Sequence, residues 1–297
     1  MAQVSDFISP AELEKYPNLQ IVARLVIEGL VTGLHKSPHK GFSVEFAQHR
    51  PYAQGDEIRR LDWKIFGRTD RFHVREFEEE TNLRATILLD SSGSMAYGRG
   101  LTKHRYAVCL AASLAHLMIQ QHDSVGLAIF DQRVREFVPP RSGAGQLGVL
   151  FEQLQNAKPA GETSLGKVLH DSARRLQKRG LLILISDCFG DVSELGAALA
   201  HFRASRHEVI VFQILDRDEL EFPFDRWTRF ESMEGPAGFQ FLDPAQYRAS
   251  YLQKLEDFRS ELAAACSRQN MDLVPITTDR PYADALVEYL SRRFQRK

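Results

Sequence analysis

The chain has 297 residues, of which 43% are hydrophobic and 26% are charged, so it can bury a core as one large or two modest domains. Its formal net charge of -1 gives no overall electrostatic drive toward nucleic acid or an anionic membrane. The cysteines Cys109, Cys188 and Cys266 are widely spaced and form no CxxC pair, which disfavours a disulfide framework or a zinc site and favours a cytoplasmic location.

The first 82 residues predict a helix followed by a small β element. Residues 11–34 have the pattern of an amphipathic helix that docks on a core. Arg24 and Glu28 interrupt its apolar stretch, which is shorter than the roughly 20 residues of a membrane span, so no span is expected. Residues 35–82 alternate aromatic with charged side chains, which indicates short strands and turns.

From residue 84 onward, strands alternate with helices. The predicted strands are 85–89, 124–130, 134–138, 181–186, 208–215 and 271–277. The predicted helices are 104–121, 145–155, 165–179, 192–203, 244–269 and 282–293. Residues 216–243 break the alternation and predict a β-hairpin insertion. We therefore predict an α/β, Rossmann-like fold whose mostly parallel sheet carries helices on both faces, with domains 1–82 and 83–297.

An acidic residue closes the first buried strand and opens the segment Asp90-Ser91-Ser92-Gly93-Ser94. Alternation along this loop can direct the oxygens of Asp90, Ser92 and Ser94 at one point, and hard cations such as Mg²⁺ prefer oxygen ligands. Gly93 eases a tight bend. Asp, Ser and Gly are also ordinary turn and cap residues, so this segment alone suits a capped strand-to-helix connection equally well.

Two distant residues favour the cation site. Thr163 precedes a predicted helix, and Asp187 closes a second apolar strand. With them, the chain resembles the von Willebrand factor A family, whose metal-ion-dependent adhesion site combines D-x-S-x-S with a distant Thr and Asp. The matching residues are Asp90, Ser92, Ser94, Thr163 and Asp187. The resemblance implies a bound Mg²⁺ (or Mn²⁺ or Ca²⁺) with an open position for a carboxylate of a partner protein.

A narrower resemblance rests on two longer motifs. Residues 52–64, YAQGDEIRRLDWK, and residues 74–80, VREFEEE, are similar to the signature of the domain-of-unknown-function 58 family. This resemblance runs from about Gly41 to the last helix. It implies a bacterial or archaeal protein that works with a MoxR-type AAA+ ATPase, or with the client of that ATPase, in chaperone-like maturation or assembly. Mutual ion pairing is the simpler interpretation of the charges in these motifs.

Two other functions stay open. One is a metal-dependent hydrolase or phosphatase that uses Asp90, although the phosphatase pattern needs a second Asp where Ser92 stands. Neither Ser92 nor Ser94 lies in G-x-S-x-G, and no P-loop is present. The other is a structural adaptor with a vestigial metal site. We expect a metal-dependent interaction module with no catalytic residue.

Overall fold

The computed structural model describes Pro10 and residues 18–36, 49–51, 73–75, 83–176, 178–235 and 238–295, with side chains for 10, 18–28, 83–176, 178–235 and 238–290. The chain forms two compact units, one of Met1–Lys36 with Leu83–Lys297 and one of Ser37–Asn82. In the smaller unit, β1 (His49–Pro51) pairs antiparallel with β2 (His73–Arg75), as expected for short strands. The motif at 52–64 and most of the motif at 74–80 lie outside the described residues.

The larger unit is built on a six-stranded sheet with the order β10-β7-β6-β3-β4-β5. Its strands are β3 Arg84–Asp90, β4 Ser124–Phe130, β5 Val134–Arg141, β6 Leu181–Ser186, β7 Glu208–Leu215 and β10 Asp272–Thr277. Neighbouring strands are parallel except for β4 and β5, which are antiparallel. The prediction of a mostly parallel α/β sheet is therefore confirmed.

Helices cover both faces of this sheet. They are α1 Leu19–Lys36, α2 Lys103–Gln120, α3 Ala144–Asn156, α4 Leu165–Arg175, α5 Val192–Ala204, α6 Arg217–Glu221, α7 Pro244–Arg268 and α8 Tyr282–Gln295. Successive strand residues point to opposite faces, so Ile87 and Leu89 join a core with α1, α2, α3 and α8. Leu88 joins a second core with α4, α5 and α7. Burial on both faces explains the continuous apolar run of β3.

The first helix belongs to the larger unit, whereas the sequence interpretation placed it in an element spanning 1–82. Its apolar face explains the difference: Leu19, Val22 and Val26 are buried in the core that α2 and α8 also line. The predicted boundary at residue 83 coincides with the end of the smaller unit. None of the helices in the described residues is both long and apolar enough to cross a membrane.

The insertion at 216–243 contains the predicted hairpin and one short helix, α6. Its strands β8 (Thr228–Glu231) and β9 (Phe239–Leu242) pair antiparallel as a separate two-stranded sheet. Phe222 is buried against Phe224, Phe230 and Tyr251. Trp227, by contrast, is 66% exposed.

Candidate metal centre

The site begins where the central strands end. Strand β3 ends in Asp90, and Asp187 directly follows the parallel strand β6, so both lie at the same edge of the sheet. Both side chains are fully buried. Asp90 Oδ1 accepts a hydrogen bond from the Ser92 backbone N–H at 2.9 Å, which is the local turn that Asp favours. Asp90 Oδ2 accepts from the Ser186 hydroxyl, on the residue before Asp187. The two strand ends are thereby joined.

Backbone hydrogen bonds join the Asp90 loop to the loop that carries Thr163. The Gly93 N–H donates to the Gly161 carbonyl at 2.8 Å, and the Ala160 N–H donates to the Ser91 carbonyl at 3.0 Å. Thr163 lies two residues beyond Gly161 and directly before Ser164, the N-cap of α4. This pairing brings a residue some 70 positions away beside the D-x-S-x-S segment.

Two of the three predicted hydroxyl ligands, Ser94 and Thr163, lie on the more accessible side of the site. Ser92 Oγ is 3.1 Å from Ser94 Oγ, so the two hydroxyls share one hydrogen bond. Ser92 is buried, whereas Ser94 and Thr163 are half-buried. Four of the five predicted residues, Asp90, Ser92, Ser94 and Thr163, are thus linked through direct hydrogen bonds or one shared partner, Glu234.

That shared partner is a carboxylate from the hairpin insertion, which the sequence interpretation missed. Glu234 Oε1 accepts from the Thr163 hydroxyl at 2.9 Å and from the Ser94 N–H at 3.2 Å. Glu234 Oε2 accepts from the Thr163 N–H at 3.2 Å. The site in the structure therefore receives a carboxylate on its accessible side.

Gly93 is required by close approach of the hairpin rather than by the tight bend expected from sequence. The loop continues into a single 3₁₀ turn, Gly93–Ala96. A Cβ added to Gly93 would lie 1.9 Å from the Met233 carbonyl oxygen and 3.0 Å from that of Gly161. Only glycine leaves room for the Met233 backbone, which directly precedes Glu234.

Asp187 is held differently from the other four. Lys103 Nζ lies 2.8 Å from Asp187 Oδ2 and 2.6 Å from Glu219 Oε1, and the lysine side chain is fully buried. Asp187 Oδ1 accepts from the Phe189 N–H at 3.1 Å. Burial alone would lower the pKa of Lys103, but the two carboxylates outweigh burial and raise it, so the ammonium stays charged. Lys103 and Glu219 were also missed from sequence.

Two buried carboxylates repel each other at the site. Burial and, to a smaller extent, repulsion from Asp187 raise the pKa of Asp90 to about 7, although hydrogen bonds from Ser186 and Ser92 oppose the change. Burial also raises the pKa of Glu219. The buried ammonium of Lys103 pairs with Asp187 and Glu219, whereas Glu234 accepts hydrogen bonds from Ser94 and Thr163. A divalent cation beside Asp90 and Asp187 would offset the repulsion between these two carboxylates.

The donor set fits a hard cation. It consists of carboxylate and hydroxyl oxygens, which are the ligands that Mg²⁺ prefers. Within the described residues, no group of three or more His, Cys, Asp or Glu is placed to hold a metal. The predicted ligands Asp90, Ser92, Ser94, Thr163 and Asp187 instead combine two carboxylates with three hydroxyls, and their role as ligands stays a prediction.

A cavity of about 200 Å³ lies elsewhere in the larger unit. Arg84, Gly180 and Leu181 line it, together with His207 and Arg175. Arg84 begins the strand that Asp90 ends, and six residues of extended strand span about 20 Å. The cavity is therefore at the opposite edge of the sheet and separate from the candidate metal centre.

Comparisons with known proteins identify one matching family and solved structures of low similarity. The family model described as "Protein of unknown function DUF58" matches residues 48–261. The uncharacterized proteins Rv1480 of Mycobacterium tuberculosis and Mb1516 of Mycobacterium bovis are each 26% identical over 280 residues, which is 93% of this chain and 87% of each relative.

Among solved structures, the conserved hypothetical protein BatB from Bacteroides thetaiotaomicron is 16% identical, with a TM-score of 0.49 over 72% of this chain and 99% of that one. The SpRpn10 VWA domain is 14% identical, with a TM-score of 0.41 over 69% of this chain and 94% of that domain.

Proposed function

This chain belongs to the DUF58 family, a family of unknown function, and we propose that it is a cation-dependent protein-interaction module. In this proposal, a Mg²⁺, Mn²⁺ or Ca²⁺ ion at the end of β3 receives a carboxylate from a partner protein. The observation that carries the proposal is the Glu234 carboxylate, which accepts hydrogen bonds from both Ser94 and Thr163. A site that accommodates one carboxylate at that position has the right chemistry for another.

Each predicted ligand has a role in this proposal. The hydroxyls of Ser92, Ser94 and Thr163 would bind the cation directly, and the resemblance to the von Willebrand factor A family assigns Asp90 and Asp187 contact through water. The bound cation supplies an electrophilic centre for an acidic side chain. The protein holds Asp90 in place through Ser92 and Ser186, and it holds Asp187 through Lys103 and the Phe189 N–H.

The partner we propose is a MoxR-type AAA+ ATPase or its client, on the basis of the family resemblance at 52–64 and 74–80. The partner contributes an Asp or Glu side chain that reaches the half-buried side of Ser94 and Thr163. We propose that this association takes place in the cytoplasm. Cys109, Cys188 and Cys266 are buried and form no disulfide, which supports a reducing compartment.

The contacts of Asp90 support binding rather than hydrolysis. Its carboxylate is wholly buried, and its oxygens accept hydrogen bonds from the Ser92 N–H and the Ser186 hydroxyl, which favours a positioning role over direct attack on a substrate. Ser91 is not arranged as a nucleophile activated by His104. The Ser91 hydroxyl donates its proton to the Lys158 carbonyl at 2.9 Å, so that proton does not point at His104. Turnover of p-nitrophenyl phosphate by the wild type, abolished by Asp90→Asn, would instead support the hydrolase.

Co-purification with the MoxR-type ATPase of the same organism tests the proposal. We expect the ATPase to be retained in Mg²⁺, released by EDTA and lost with Ser94→Ala. Ser193→Ala, an exposed serine on α5, is the matched control and should retain it. Retention by Ser94→Ala and in EDTA would instead support the adaptor with a vestigial site.

A further inference from the structure

Glu234 occupies the position that the proposed function reserves for a partner carboxylate. Its two oxygens accept three hydrogen bonds, all from Ser94 and Thr163. Both residues belong to the predicted ligand set and lie on its accessible side. The chain therefore contains a segment that meets the chemical requirement of the partner.

We propose that Glu234 is an internal ligand of the site and that an acidic partner binds by displacing it. This inference rests on the proposed function, because displacement matters only if the site holds a cation and accepts a carboxylate. It goes further in assigning a regulatory role to the β8–β9 hairpin. The hairpin keeps the site closed until a carboxylate of higher affinity arrives.

The charges around Glu234 support this assignment. The oxygens of Glu234 accept hydrogen bonds from neutral donors, namely the Ser94 N–H, the Thr163 N–H and the Thr163 hydroxyl. The buried ammonium of Lys103 pairs with Asp187 and Glu219 instead. A cation held by the predicted ligands would attract the Glu234 carboxylate.

The hairpin is not part of the central sheet. Its two four-residue strands pair with each other as a separate sheet, and Phe230 of β8 packs against Phe222 and Phe224 outside the central sheet. Its outer side is open, with Trp227, Phe239 and Phe241 exposed by 66%, 60% and 57%. Lifting its turn would break the three hydrogen bonds of Glu234 while leaving the pairing of β3 with β4 and β6 intact.

Competition from Glu234 should lower the apparent affinity of the site for an external carboxylate by a measurable factor. When an internal ligand occupies a site for about nine-tenths of the time, the apparent affinity for an external ligand falls about tenfold. Removing the internal carboxylate should restore that affinity. Glu231 provides a matched control, because it lies on β8 of the same hairpin but is exposed and pairs with Arg229 instead of the site.

The experiment uses Mn²⁺ as the cation, acetate as the carboxylate probe, and water-proton relaxation as the readout of exchangeable water on the ion. The full chain is compared with Glu234→Ala, Glu234→Gln and Glu231→Gln, each checked for folding by thermal melting. We expect both Glu234 variants to bind Mn²⁺, to show higher relaxivity per bound ion, and to bind acetate at least about tenfold more tightly than the wild type. Glu231→Gln should match the wild type.

Three outcomes would overturn the inference, and they differ from one another. Equal relaxivity and equal acetate affinity in all four proteins, with Mn²⁺ bound, would mean that Glu234 does not compete, while the proposed function would stand. Loss of Mn²⁺ binding in Glu234→Ala would make Glu234 a fixed ligand. No Mn²⁺ binding by the wild type would remove the proposed function and this inference with it.

Discussion

Lys103 Nζ lies 2.8 Å from Asp187 Oδ2, and neither side chain is accessible to solvent. The lysine starts α2, whereas the aspartate follows β6, so this ion pair joins a helix to the strand end that carries the candidate site. Glu219 of α6 binds the same ammonium at 2.6 Å. The position of Asp187 thus depends on three separate segments of the fold.

Replacing this lysine should destabilise the protein strongly. In Lys103→Met, the carboxylates of Asp187 and Glu219 lose their buried counter-charge, and breaking such a pair costs about 3–5 kcal/mol. Urea unfolding at pH 7 measures the change in the free energy of unfolding. Lys167→Met, an exposed lysine on α4, is the control and should change stability by less than about 0.5 kcal/mol. Similar unfolding midpoints for the two variants would refute the structural role of the pair.

Two glycine substitutions should have opposite effects. Gly93→Ala forces a Cβ against the Met233 carbonyl, so we expect a loss of about 1–3 kcal/mol and faster hydrogen exchange in the hairpin strands. Gly148→Ala lies inside α3 with open space around its Cβ, and it should stabilise the protein by about 0.5–1 kcal/mol. If Gly93→Ala leaves hairpin exchange unchanged, then the hairpin does not rest on the Asp90 loop in solution.

His104 should make stability depend on pH. Burial lowers the pKa of His104 to about 4, from its ordinary value of 6.5. Between these values the unfolded chain binds the proton and the folded chain does not, so stability is full above about pH 6.5 and falls as the pH drops toward 4. The loss amounts to about 3 kcal/mol over the interval.

Urea unfolding of the wild type and His104→Gln at pH 7.5 and pH 5 isolates this effect. Glutamine does not titrate in this range. The free energy of unfolding of the wild type should therefore fall relative to that of the variant as the pH drops. A constant difference between the two proteins at both pH values would contradict a buried neutral His104.

The fold and most of the candidate ligands were predictable because each depends on a local pattern. Apolar runs that end in an acid locate β3 and β6, and with them Asp90 and Asp187. Parallel strands bring their carboxyl ends to one edge, which places these two residues together. Asp216, which follows β7, lies at that edge as well, but its carboxylate caps α6 and accepts from Thr278.

The residues that were missed depend on long-range packing. Lys103 resembles any charged residue in the first turn of a helix, and nothing local predicts that its ammonium is buried between Asp187 and Glu219. Glu234 sits in a hairpin 71 residues from its partner Thr163. The apolar face of α1 predicted docking, but pattern alone did not identify α2 as its partner.

Titration calorimetry with Mg²⁺ and Mn²⁺ tests the central claim most directly. The account predicts that the wild type binds one cation per chain and that Asp90→Ala combined with Ser92→Ala abolishes binding while the protein stays folded by circular dichroism. Absence of cation binding by the wild type, or unchanged binding by the double variant, would contradict a metal centre at Asp90.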